Sequence, residues 1–62
     1  MITIEKTREL YGELPKDVEE DPYYQKEFLK LVDDEIKNHG EAWVKEHRVM
    51  LLSQWEYVRT LV

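Results

Sequence analysis

The sequence contains no cysteine, and it has only two glycines and two prolines among its 62 residues. Without cysteine, neither a disulfide nor a thiolate-bound metal can support the fold. The scarcity of glycine and proline, together with many strong helix formers, favours helices over a β-sandwich or a disordered tail. An all-α fold is therefore the first expectation.

Long hydrophobic runs are also absent. The longest run extends from Val49 to Leu52, which is far too short for a membrane span or a signal peptide. We therefore expect no membrane association, and the absence of cysteine agrees with a cytoplasmic location. The length predicts a single domain, residues 1–62, whose small core leaves a lone monomer marginally stable.

Basic residues are outnumbered, and the formal net charge is −5. The imbalance lies in residues 1–21, which hold seven acids against three bases, whereas residues 41–62 hold three of each. A surface that binds nucleic acid needs clustered lysine and arginine. Direct binding of nucleic acid is therefore not expected.

Two helix signals enclose the middle of the chain. Asp21 and Pro22 have the residue types preferred at the N-cap and the first helical position. Residues 38–40, Asn-His-Gly, form a helix stop, because asparagine and glycine tolerate the conformation that ends helices. The spacing predicts a helix over about 22–38. Its apolar positions recur every three or four residues: Tyr24, Phe28, Leu31, Val32 and Ile36.

A second long helix is predicted over about 41–60. Asn38 and Glu41 have capping-box spacing, which favours a helix beginning just after Gly40. Apolar residues of this helix occupy one arc of about 160°. The alternative is a single helix over 22–60, which would need a long partner to cover its apolar face. We therefore expect an antiparallel hairpin, with Tyr24 near Trp55.

The acidic first segment, residues 1–21, shows weaker signals. Thr3 can cap a short helix that runs to about Tyr11 and ends at Gly12. A further helical turn is expected from Pro15.

The two long helices carry more apolar surface than a two-helix contact covers, since such a contact spans roughly 100° of each helix. The commonest solution is a twofold homodimer, here a four-helix bundle made from two hairpins. The interface candidates lie on the apolar arc of the last helix: Trp43, Met50, Gln54, Tyr57, Val58 and Leu61.

Polar residues within the apolar arcs have two interpretations. Glu35 and His47 are expected to form a buried polar pair that fixes the register of the helices. The alternative is a metal site built from Glu35, His39 and His47. That site would lack a fourth ligand and the Glu-x-x-His pairs of bundle-type metal centres, so neither a metal nor a cofactor is expected.

Catalysis has little support in this sequence. There is no cysteine nucleophile, and Ser53 lies on the polar side of its helix with no histidine one turn away. So small a chain also leaves little volume for a substrate pocket. We expect a protein that is not an enzyme.

Two functional hypotheses follow. The first is a homodimeric adaptor or regulator that binds an unidentified protein through its apolar faces. The second is an acidic inhibitor that mimics DNA and blocks a basic site on a nucleic-acid-binding protein. Its acidic patch would be Asp17, Glu19, Glu20 and Asp21. A simpler interpretation, which we favour, is that these charges solubilise the surface and support the helix start at Pro22.

Overall fold

The computed structural model describes residues 2–61, which form five helices and no strand. The prediction of an all-α fold is confirmed. The helices are α1 (Ile4–Tyr11), α2 (Lys16–Glu20), α3 (Pro22–His39), α4 (Glu41–Glu46) and α5 (Arg48–Leu61).

The predicted start and stop signals of α1 are confirmed. The Thr3 side chain accepts a hydrogen bond from the Lys6 N–H, which satisfies one of the free donors of the first turn. Gly12 ends the helix with φ 81°, and its N–H donates to the Arg8 carbonyl. The helical turn expected after Pro15 is also present, as α2.

Helix α3 begins as its sequence predicts. The Asp21 carboxylate accepts a hydrogen bond from the Tyr23 N–H at 2.9 Å. On its inner side, the Gln25 amide donates to the Val18 carbonyl and ties α3 to α2. The helix ends before Gly40, whose φ of 93° is a backbone conformation that residues other than glycine rarely adopt.

The predicted capping box at the start of the next helix is wrong. Gly40 is the residue that precedes α4, and no side chain caps that end. The Glu41 carboxylate instead forms an ion pair with Lys6 at 2.9 Å, so it joins α4 to α1.

The single helix predicted over 41–60 is also divided, and the break lies at His47. The Trp43 carbonyl accepts from both the backbone N–H and the ring Nδ1 of His47. One residue later, the Arg48 guanidinium donates to the Lys45 carbonyl at 2.7 Å. Side chains that bind helix carbonyls disturb the regular ladder, which accounts for the break.

The core is built mainly from aromatic and aliphatic side chains of all five helices. Trp55 of α5 packs edge-on against Phe28 and Tyr24 of α3, with ring centroids 5.3 and 6.1 Å away. The expected proximity of Tyr24 and Trp55 is therefore observed. The buried hydrophobic residues are Leu10, Tyr11, Leu14, Val18, Phe28, Val32, Val44, Leu51 and Trp55.

No helix in the described part of the chain combines the length and the apolar character needed to span a bilayer.

Candidate interaction surface

One side of α5 faces solvent and is largely apolar. Met50, Tyr57, Val58 and Leu61 are 43, 67, 36 and 69% exposed, and Gln54 lies exposed among them. We call these five residues the outer stripe of α5. All of them belong to the predicted interface set. Met50, Gln54, Tyr57 and Val58 also line one shallow depression, so the stripe is continuous.

The outer stripe continues onto α3. Leu31 is 38% exposed and lies, with Gln54 and Val58, at a small cavity of about 60 Å³ between α3 and α5. The sequence predicted Leu31 as an inward residue of its helix. Because Leu31 lies at the edge of the apolar arc, its location at the border of the core could have been predicted from the sequence.

Trp43, the sixth predicted interface residue, does not belong to this surface. Its indole is half-buried and packs against the core. His39 and His47 stack on it with ring centroids 3.9 and 4.1 Å away, so the three rings span the ends of α3, α4 and α5. Trp43 therefore supports the two helix junctions rather than an exposed interface.

The predicted buried pair of Glu35 and His47 is not formed among the described residues. Both side chains are half-buried. Glu35 lies 3.7 Å from His39 of its own helix, and His47 donates from Nδ1 to the Trp43 carbonyl. Each polar group therefore has a partner within four residues of its own position.

The same stack separates the two candidate metal ligands. Two rings cannot occupy one face of an indole at these distances, so His39 and His47 lie on opposite faces of Trp43. Imidazoles that share a zinc ion each place a nitrogen about 2 Å from it, which leaves no room for an indole between them. Within residues 2–61, no group of three potential ligands is arranged to hold a metal ion.

Residues of the acidic patch are engaged in contacts within the chain. Asp21 caps α3. Glu19 accepts a hydrogen bond from the Arg8 guanidinium at 3.1 Å and forms an ion pair with it. Glu20 lies 4.0 Å from Lys16. Two of these acids therefore join or cap helices, and the third pairs along its own helix.

Asp17 is half-buried, as is Asp21, whereas the other two acids of the patch are exposed. Its Oδ2 has no hydrogen-bond partner in that part of the chain, but the Arg59 guanidinium lies 3.4 Å away. The attraction is therefore between charges without a well-formed hydrogen bond. This contact places the acidic segment beside the C-terminal end of α5.

The interior of the cavity is apolar apart from a few polar atoms. Tyr11 lines it and is 5% exposed. Burial, with a smaller effect of the Glu35 carboxylate, raises the pKa of Tyr11 to about 12. Tyr11 is therefore neutral at physiological pH, and it contributes no charge to the surface.

No protein-family model matches this chain, and no curated protein or solved structure matches it either. The function is therefore inferred from the geometry of the outer stripe.

Proposed function

We propose that this protein acts by protein–protein interaction, as a homodimeric adaptor or regulator and not as an enzyme. In this proposal α3 forms one arm of an antiparallel hairpin and α4 with α5 forms the other. Two hairpins then associate as a four-helix bundle. The observation that carries the proposal is the outer stripe, an uncharged helix face left open beside the core.

The stripe differs from the scattered apolar residues found on most protein surfaces. Its members are neighbours on one helix, and Leu31 extends them onto a second helix across the cavity. Contiguous apolar patches of several hundred Å² on small proteins commonly mark interaction sites. Covering the stripe would also add buried area to the small core that a chain of 62 residues can form.

The acidic-inhibitor alternative has less support. A mimic of DNA needs carboxylates free to meet the cations of its target. Asp17 and Glu19 are instead paired with Arg59 and Arg8, and Asp21 caps a helix. The interpretation that these acids cap and join helices therefore accounts for more of their contacts than DNA mimicry does.

The proposal is tested by placing a charge on each of two exposed positions of α5. Tyr57→Glu puts a carboxylate in the middle of the stripe, whereas Val49→Glu puts one at a residue that is 72% exposed outside it. Sedimentation equilibrium at micromolar concentration should show a dimer for the unaltered chain and for Val49→Glu. Tyr57→Glu should give a monomer of 7.6 kDa.

Circular dichroism of each variant serves as the folding control. An unaltered chain that sediments only as a monomer across the concentration range would contradict the homodimer.

A further inference from the structure

The outer stripe contains a regular seam. Met50, Gln54, Tyr57 and Leu61 follow one another at spacings of four, three and four residues, and all four are exposed. This alternation is the a/d spacing at which one α-helix packs against another. The core side of α5 uses other residues, chiefly Leu51 and Trp55. The seam is therefore a second packing face, and its spacing fits a helix as the occupant.

We infer that the occupant is α5 of a second copy of this chain, lying antiparallel to the first. The inference rests on the proposed homodimer and specifies which helix forms it, in which direction and in which register.

The exposed area fits an occupant of this size. With side chains of ordinary dimensions, the stripe and Leu31 leave on the order of 500 Å² open on each copy. Two copies would bury about 1,000 Å² in total, near the lower limit of specific interfaces. The seam itself has no ionisable group except the Tyr57 phenol, so two identical faces can meet without repulsion.

The direction follows from the helix dipoles. A parallel pair would set the two negative C-terminal ends of α5 beside each other and the two positive N-terminal ends beside each other, at a cost in repulsion. An antiparallel pair instead sets the C-terminal end of each α5, near Leu61, beside the partner's N-terminal end, near Arg48.

The register follows from the middle of the seam, which lies between Gln54 and Tyr57. Full overlap of two antiparallel seams sets Met50 opposite the partner's Leu61 and Gln54 opposite the partner's Tyr57. An amide and a phenol can hydrogen-bond to each other. A polar layer within an apolar seam favours one register over its shifted alternatives.

Cysteine cross-linking tests the arrangement directly, because the chain has no cysteine of its own. Met50→Cys and Leu61→Cys would each be oxidised alone and as an equal mixture, with intact-mass spectrometry of the products. The antiparallel arrangement predicts that the disulfide joining the two different variants exceeds both like-with-like products by at least tenfold. Val49→Cys, which is exposed on the same helix outside the seam, should cross-link poorly with either variant.

A second measurement leaves the seam unaltered. Nitroxide labels at Thr60 would lie opposite each other in a parallel pair, whereas an antiparallel pair offsets them by about 13 Å along the axis. Like-with-like disulfides or directly opposed labels would overturn the direction. A dimer in sedimentation with no seam disulfide and no label proximity would overturn α5 as the interface. A monomer at every concentration would overturn the proposed homodimer together with this inference.

Discussion

Helices α3 and α5 both place aromatic side chains in the core, but their outer sides differ. The solvent-facing side of α3 carries several charged residues, and one of them, Lys37, forms an ion pair with Asp33 at 3.1 Å. The corresponding side of α5 presents Met50 and Tyr57 to solvent. Hydrophobic periodicity identifies an apolar face on either helix. Whether all of that face is covered depends on the neighbouring helices.

The ends of the two helices differ as well. Asp21 caps the start of α3, and Gly40 ends it. Helix α5 instead follows a break in which side chains of His47 and Arg48 bind carbonyls of α4. Local sequence thus accounts for the limits of α3. The position of α5 depends more on the contacts that its inward side chains make with the core. This difference can be tested at three positions.

The largest effect is expected at Trp55, which is the main contact of α5 with α3. Trp55→Ala should lower the free energy of unfolding by about 3–5 kcal/mol, because it removes a large buried ring. Urea denaturation followed by circular dichroism would measure the change at one protein concentration. Trp55→Phe should cost less, since it keeps a ring beside Phe28 and removes an indole N–H that has no partner among the described residues.

Glu56→Ala is the matched control for Trp55, because it alters the next residue on the exposed side of the same helix. It should change stability by less than about 0.5 kcal/mol. Equal losses for Trp55→Ala and Glu56→Ala would contradict the assignment of Trp55 as the anchor of α5.

A smaller effect is expected from alkaline pH at Tyr11, which lines the cavity between α3 and α5. Its pKa is about 12 in the folded chain and about 10 when unfolded. The neutral phenol therefore stabilises the fold below pH 10, and this contribution is lost as pH rises from 10 to 12. The loss should reach about 2 kcal/mol near pH 12.

Tyr11→Phe isolates this effect, because the other titrating groups remain. The difference in unfolding free energy between the unaltered chain and this variant should depend on pH only above about pH 10. A difference that stays constant through pH 12 would show that the phenol ionises as readily in the folded chain as in the unfolded one.

The smallest effect is expected at the start of α3. Asp21→Ala removes the acceptor of the Tyr23 N–H and should cost about 1 kcal/mol of stability. Asp21→Asn keeps an acceptor and should cost less. Asp34→Ala, on the exposed side of the same helix, should be nearly neutral, so thermal melts of the three variants separate capping from a general effect of charge.

The confirmed predictions of helix ends concern local signals. Thr3, Gly12, Asp21 and Gly40 each act on backbone groups within four residues, so the sequence alone contains both partners of the contact. One prediction that was wrong, the capping box at Glu41, failed because of a partner from another helix. Glu41 pairs with Lys6 of α1 instead of capping its own helix, because folding brings those two charges together.

The residue pattern was enough to predict the helical fold, the limits of α1 and α3, and the apolar residues of α5. How the apolar arc of α5 is divided between core and solvent follows from the packing of the other helices. Leu51 and Trp55 face the core, whereas Tyr57 and Leu61 stay in solvent. This division cannot be predicted from periodicity, because periodicity records the hydrophobic character of a face, while burial depends on the area that neighbouring helices can cover.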